Sequence, residues 1–305
     1  MNSLSVVIPT KDRAPALART LDALEAQEVG GAKVEAIVID NGSRDATVGL
    51  LRERVSGSAI PLRLLEQPSG GPAAARNAAV AAATGEVLLF LGDDTEPEDS
   101  GLLRAHLDLH AARPEEAYGV LGRITWSQRS PVTPFMRWLE NGGPQFHYFE
   151  LQPGPVDAAN YFYSSHASLK RSLFERVGGF DERFPGAAVE DTELGVRLGD
   201  AGLELDYHPD LLVLHDHPTT PAQSLRRSVA VGRSAALYNR LRPDRPHPGV
   251  QAPQGLAWSL VRRAAPLLGA LGRLPLPKGI RERVWLAMTR GGYARGYRLG
   301  PVEPG

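Results

Sequence analysis

Apolar residues in the first hundred positions come in short runs, each cut off by polar turn residues. Ser5–Thr10 (SVVIPT) is a β-branched run ended by proline, and Leu17, Leu21 and Leu24 follow at i, i+4, i+7, the spacing of one helix face. Val34–Ser43 repeats the unit: a strand runs into the turn Asp40-Asn41-Gly42-Ser43, and Leu50, Leu51 and Val55 mark a second helix. Leu62–Pro68 predicts a third strand, and Gly70-Gly71-Pro72 opens an Ala-rich helix over Ala73–Ala83. Glu86–Asp94 (EVLLFLGDD) predicts a fourth strand. It is apolar without a break until two adjacent carboxylates, as suits a parallel strand covered on both faces.

This βαβαβαβ order implies an open, mostly parallel, Rossmann-like α/β sheet. Beyond about Leu102 the pattern loosens into a helix, short strands and a loop rich in Pro, Gly and aromatics (Phe135, Trp138, Phe146, Tyr148, Phe149). A helix carrying Glu190-Asp191-Thr192-Glu193-Leu194 follows, and the chain contains no internal repeat.

Composition narrows the chemistry. The 305 residues are 42% hydrophobic and 23% charged, enough for one large or two small cores. Cysteine is absent, which excludes disulfides and thiolate metal sites and makes a cytoplasmic location the expectation. The start of the chain lacks the basic flank and apolar core of a signal peptide, and no apolar run is long enough to span a bilayer. The net charge of -1 hides an asymmetry: from Pro221 onward there are 15 Arg/Lys against 3 Asp/Glu, while residues 1–220 hold the other 19 and 32.

In open α/β sheets, ligands collect at the carboxyl ends of the strands. Pro9-Thr10-Lys11-Asp12-Arg13 closes the first strand, Asp40-Asn41-Gly42-Ser43 the second and Gly92-Asp93-Asp94 the fourth, so three acidic corners are expected to face one crevice. Each has a bland alternative: Asp-Asn-Gly is a common turn, Asp12 can cap a helix, and Asp93-Asp94 can begin a solvated loop.

As a series these motifs resemble the family-2 glycosyltransferases of the GT-A fold. The matching features are the V-I-P-T strand, Asp40 ending strand two, Gly70-Gly71 leading to Arg76-Asn77, and a strand ending in a D-x-D-type motif. The likeness continues at Val177-Gly178-Gly179-Phe180-Asp181-Glu182 and Glu190-Asp191, and covers about residues 4–240. It implies a nucleotide-sugar-binding Rossmann-like half over 1–100, a smaller acceptor-side and catalytic half over 101–240, and a basic amphipathic helical extension over 241–305.

The resemblance also implies roles. Asp12 and Asp40 would bind the base and ribose of a UDP-, GDP- or TDP-sugar, with the backbone of Pro9 and Thr10 lining the base slot. Arg76 would lie near the nucleotide, with Asn77 fixing its loop; a surface ion pair is the alternative. Asp94 and Asp93 would bind Mg²⁺ or Mn²⁺ bridging the donor phosphates. The sequence departs from strict D-x-D in having Gly92 at the first position, which leaves Asp94 the safer ligand. His215, or His217 in its place, would join the metal, the spacing of two being read as one imidazole facing the site and one facing away. Asp191 would be the catalytic base of an inverting transfer to a glycan or lipid-linked acceptor. Glu190 would stand behind it, and a helix-dipole role is the alternative for both carboxylates. In Asn160–His166, Tyr163 and His166 would meet the acceptor, unless the run is simply a strand packed on the core.

In the basic tail, Leu256, Leu260, Leu267 and Leu271 with Trp258, Arg262 and Arg263 read as an amphipathic helix bent at Pro266, and Ile280, Val284, Trp285 and Met288 form a second cluster. Two readings stand open: peripheral association with the inner face of a membrane, or packing on the catalytic domain. Nucleic acid is not an expected partner, since no binding motif is present. A nucleotidyltransferase would carry a Gly-rich loop after strand one, where this chain has PTKDR. A dehydrogenase would carry G-x-G-x-x-G there. A non-catalytic binding module would have no need of Asp191 together with Asp93 and Asp94.

Overall fold

The four apolar runs become four parallel strands, β1 (Ser3–Thr10), β2 (Lys33–Asp40), β3 (Leu62–Glu66) and β4 (Val87–Leu91), with α1 (Ala14–Glu25), α2 (Thr47–Val55) and α3 (Gly71–Ala81) as crossovers. The computed structural model describes residues 2–68, 70–145, 147–186, 189–272 and 274–301. Leu17, Leu21 and Leu24 are the buried stripe of α1, and Val87–Leu91 is buried throughout, as a central strand requires.

The chain continues through β5 (Thr95–Pro97), α4 (Leu102–Ala112), β6 (Tyr118–Trp126), α5 (Pro134–Glu140), β7 (Gly154–Val156), α6 (Ala158–Tyr161), β8 (His166–Lys170), α7 (Arg171–Arg176), α8 (Val189–Asp200), β9 (Glu204–His215), α9 (Pro221–Leu241), α10 (Leu256–Leu271) and α11 (Lys278–Leu299). The strands form one nine-stranded sheet in the order β3-β2-β1-β4-β8-β6-β9-β5, with β7 also on β9. β8 runs antiparallel to β4 and β6, and β6 is parallel to β9.

Two compact units result. The first comprises Met1–Ser130, Glu150–Glu182 and Glu190–His217, the second Pro131–Phe149, Arg183–Val189 and Pro218–Gly305. The halves expected over 1–100 and 101–240 of one domain fall largely together in the first unit, and the C-terminal part of the second begins at Pro218. β6, β8 and β9 pair into the same sheet as β1–β4, so residues on either side of 100 share one core. The helix α9 groups with the chain that follows it.

Beside the apolar core of the first unit lies a polar one. His106, His110, His166 and Ser168 are all fully buried. The Ser168 hydroxyl lies 2.8 Å from His106 Nδ1 and 2.9 Å from His110 Nε2, and His106 Nε2 lies 3.2 Å from His166 Nε2. Only glycine fits at position 122, since a Cβ there would lie 2.0 Å from the His166 ring.

In the second unit the helices approach at glycine. A Cβ on Gly296 of α11 would meet the Val229 carbonyl of α9 at 1.9 Å, and one on Gly232 of α9 the Tyr293 carbonyl at 2.1 Å. The segment expected as an aromatic loop is partly the helix α5, where Phe135 and Trp138 are buried against Trp285. Phe146 lies outside the described residues. The stripe on α10 faces opposite to ordinary core packing. Small Ala265 and Gly269 are buried, whereas Leu256, Leu260 and Leu267 are 76%, 57% and 64% exposed.

Candidate active site

The carboxyl ends of β1, β2 and β4 do meet, and each corner is held by a different device. At β2, Asp40 is buried and accepts hydrogen bonds from the backbone N–H of Gly42 (3.1 Å) and Ser43 (3.0 Å), closing an Asx turn. At β1, Asp12 has φ +52°, the only positive φ at a non-glycine among the described residues. Its N–H donates to Ser43 Oγ (2.8 Å) and its Oδ1 accepts from Arg44 N–H (2.7 Å). The two loops are thereby tied together, with the Asp12 carboxylate exposed beside the buried Asp40. Strained backbone of this kind gathers at binding sites.

At β4, Asp93 and Asp94 diverge. Thr10 Oγ1 donates to Asp93 Oδ2 at 2.8 Å. Burial, and then the adjoining Asp94 charge, push the Asp93 carboxyl up to about 6 against the pull of Arg13 and Thr10. Burial would raise Asp94 as well, but His215, Arg13 and His217 together hold it well below the usual carboxylate range. Asp94 is therefore the more acidic member of the pair.

His215 Nε2 lies 3.4 Å from Asp94 Oδ1, and His217 Nδ1 lies 3.7 Å from Asp94 Oδ2. Both imidazoles approach the same carboxylate, which corrects the expectation that one would face away. Residues two apart along an extended chain share a face, and the rings stack at 5.7 Å. The link from the Asp216 N–H to the Asp94 carbonyl (2.9 Å) fixes the segment in place.

Asp94 offers the hard oxygen donor that Mg²⁺ or Mn²⁺ prefers, while the two imidazoles beside it are donors better suited to softer cations. Among the described residues no three such side chains stand ready as ligands. Arg13 Nη1 lies 2.7 Å from both Asp94 Oδ2 and His217 Nδ1. A guanidinium can only donate, so His217 Nδ1 accepts. Sequence reasoning placed Arg13 in the loop after β1 without giving it a role. Local pattern carries no signal that this cation reaches residues 81 and 204 positions away.

Asp191 opens α8, and its Oδ2 accepts from the Ser164 N–H at 3.1 Å. The neighbouring Ser165 carbonyl accepts from Gly92 N–H at 3.2 Å, so one short segment links Asp191 to the end of β4. Ser164 is fully buried and its Oγ has no hydrogen-bond partner among the described residues. Neither Ser164 nor its link to Asp191 was legible in the sequence.

Arg76 lies in the middle of α3, buried, with Nη1 3.3 Å from Glu190 Oε1 and its guanidinium 5.3 Å from the Phe180 ring centroid. Glu190 is 1% exposed, so this pair braces α8 against α3 beneath Asp191. Asn77 fixes a loop, as expected, but the loop is the glycine-rich one: it bonds the N–H and the carbonyl of Phe180, each at 2.9 Å.

The segment Asn160–His166 is not a strand throughout: α6 covers Ala158–Tyr161 and β8 starts at His166. Tyr163 remains partly exposed. His166 does not meet an acceptor. It is fully buried, bonded to His106 and to the Arg123 carbonyl (3.2 Å), and burial pushes it down to about 4.

Comparison with known proteins bears on the family and the fold. The model of the family described as "Glycosyl transferase family 2" matches residues 5–178, and that of "Glycosyltransferase like family 2" matches residues 156–241. The pre-mycofactocin glycosyltransferase of Mycobacterium tuberculosis is 32% identical over 261 residues, 85% of this chain and 52% of that protein. Validoxylamine A glucosyltransferase of Streptomyces hygroscopicus subsp. jinggangensis is 31% identical over 66% of this chain and 52% of its own length. The chain thus spans about half the length of these curated relatives. Among solved structures, the mannosyltransferase PcManGT from Pyrobaculum calidifontis, in complex with GDP-Man and Mn²⁺, aligns with TM-score 0.64 at 21% identity, covering 96% of this chain and 85% of that one. S. aureus TarS 1-349 in complex with UDP aligns with TM-score 0.57 at 14% identity, covering 99% and 93%. These neighbours share the GT-A type of mixed α/β fold with a mostly parallel central sheet. With its sheet, its acidic strand ends and a family model matched over more than half its length, the chain belongs to glycosyl transferase family 2.

Proposed function

We propose that the protein moves a sugar from a nucleoside-diphosphate sugar to a hydroxyl of a glycan or lipid-linked acceptor, with inversion at the anomeric carbon. The observation that carries this reading is the convergence of Asp94, His215 and His217 at the strand edge that also holds Asp12 and Asp40. Asp12, Asp40 and the Pro9–Thr10 backbone take the base and ribose, whose N–H and hydroxyl groups match carboxylate acceptors. Asp94, with His215 and His217 and with Asp93 behind, holds a divalent cation, Mg²⁺ or Mn²⁺. Held there, such a cation would supply positive charge to offset that growing on the leaving diphosphate.

Asp191 accepts the proton of the acceptor hydroxyl as that oxygen bonds to the anomeric carbon, and the bond from carbon to the diphosphate oxygen breaks with its electron pair leaving on the nucleotide. The Ser164 N–H orients the Asp191 carboxylate, Glu190 and Arg76 brace its helix, and Tyr163 contributes on the acceptor side.

The test is release of nucleoside diphosphate from a panel of UDP-, GDP- and TDP-sugars with Mn²⁺, Mg²⁺ or EDTA. Metal-dependent release from one donor, lost in Asp94→Ala and Asp191→Ala, supports the reading. Pyrophosphate as product would make the protein a nucleotidyltransferase. Silence across the panel would leave a binding module.

We further propose that the protein is cytoplasmic and sits peripherally on the inner face of the membrane. No helix among the described residues is long and apolar enough to cross one. Support comes from the outward leucines of α10 and from the absence of any acidic residue between Asp244 and Glu282. Full-length protein should float with anionic vesicles but not with neutral ones, and Leu260→Glu/Leu267→Glu should stay at the bottom of the gradient. Equal flotation of both forms would refute membrane association.

A further inference from the structure

Two of the groups assigned above to a divalent cation are already engaged by a cation of the chain itself. Arg13 Nη1 is 2.7 Å from Asp94 Oδ2 and 2.7 Å from His217 Nδ1. Arg13 takes the one lone pair of His217 Nδ1 and one of those on Asp94 Oδ2, and its charge opposes a second cation at the same carboxylate. The Asp94 side chain is 12% exposed and that of Arg13 33%, so the guanidinium covers the carboxylate from the solvent side.

Other arginines nearby are committed elsewhere. Arg19 pairs with Glu96 and Asp216, and Arg129 with Glu96. Arg13 alone among these three has the candidate metal ligands as its partners. Its backbone is pinned, with the N–H donating to Thr47 Oγ1 (3.1 Å) and the carbonyl accepting from Ala16 (3.0 Å) and Leu17 (2.9 Å). Any exchange therefore falls to the side chain, whose planar fork of N–H donors also matches phosphate oxygens.

We propose that Arg13 is the internal counter-ion of this site: its guanidinium and a divalent cation exclude each other at Asp94 and His217, and the cation is admitted together with a diphosphate that draws Arg13 away. This rests on the reading of Asp94 as a metal ligand. It adds that metal and nucleotide bind with positive coupling, because the diphosphate does two things: it supplies oxygens to the metal and relieves the metal of a competitor. By reciprocity, the metal tightens nucleotide binding by the same factor. Arg13 is thus a positioning residue, exchanging between carboxylate and phosphate.

The experiment is titration of the full chain with MnCl₂, following the electron paramagnetic resonance signal of free Mn²⁺, with and without UDP or GDP. Arg13→Gln should bind Mn²⁺ alone at least tenfold more tightly than wild type, and the nucleotide should tighten Mn²⁺ binding less in the variant than in wild type. Arg13→Lys keeps the charge on a shorter point donor and should fall between the two; it carries the test if thermal melting shows Arg13→Gln unfolded. A merely structural role for Arg13 has the opposite sign, since its loss would loosen the site and weaken Mn²⁺ binding. Variants that bind Mn²⁺ no more tightly than wild type would overturn the proposal. Asp94→Asn separates the two levels of inference: it should abolish Mn²⁺ binding by the protein, alone and beyond what the nucleotide binds by itself, and retained binding would bring down the metal reading itself.

Discussion

The first unit contains two polar clusters built from one sheet, and they are built on opposite terms. At the carboxyl edge, Asp93, Asp94, His215 and His217 gather around Arg13, with a carboxylate held ionised and donor atoms that a ligand can take over. Between α4 and β8, His106, His110, His166 and Ser168 bond one another behind the sheet, fully buried. Burial pushes all three imidazoles down, His166 to about 4 and His110 to about 3, so they are neutral at physiological pH. The first cluster keeps charge on groups that are in part exposed, Arg13 and His217; the second gives up charge to satisfy its hydrogen bonds internally. A polar side chain in a candidate site is informative when its bonding capacity points outward, and residue type alone does not show that.

The sharpest way to separate the clusters is to break one member of each and ask whether activity or stability falls. Asp191→Asn should lower turnover by roughly 10²–10⁴-fold, the usual worth of a general base, while leaving the melting midpoint close to wild type. Ser168→Val should do the reverse. It orphans nitrogens on two buried imidazoles, so urea unfolding should show a loss of about 2–6 kcal/mol, with activity per folded molecule retained. An activity loss there without a stability loss would erase the distinction.

Acid should then report on the histidine cluster. The folded-state values lie below the roughly 6.5 of an unfolded histidine, so between these limits the unfolded chain binds more protons than the folded one, and stability falls as pH falls. The melting midpoint should drop from about pH 6.5 toward pH 4, the value to which His166 is pushed. Groups facing this cluster include Lys170 and His208, both of which oppose its protonation. A flat profile over that range would mean that the imidazoles take up protons as readily in the folded chain as in the unfolded one. The smallest effect is expected at Thr10→Val, which removes one hydrogen bond to Asp93 and should cost about 1.5–3 kcal/mol, as for bonds to charged groups. Part of that loss should appear as weaker nucleotide binding.

Much of the first unit was legible in the chain. The runs Ser5–Thr10, Val34–Ser43 and Glu86–Asp94 read as strands running into polar turns, the last apolar without a break as a strand covered on both faces must be, and each contains a strand, Ser3–Thr10, Lys33–Asp40 and Val87–Leu91. The strand-end carboxylates followed, since ligand sites in such sheets collect at that edge. Less was legible where a residue's meaning depends on what packs against it. His166 and His215 both belong to strands in the same sheet, yet one is sealed behind the sheet by α4 and the other reaches Asp94. The leucines of α10 have ordinary core spacing, but Ala265 and Gly269 are the residues that are buried.

By itself, then, the sequence determined the parallel sheet, its crossover helices and the acidic character of the strand ends, because these follow from local periodicity and from the chemistry of short segments. Only the tertiary structure decided that both His215 and His217 turn toward Asp94, that Arg13 reaches both Asp94 and His217, and that Ser164 holds Asp191. Those relations join residues far apart in the chain, and the direction of each side chain is set by packing across elements that no local pattern encodes.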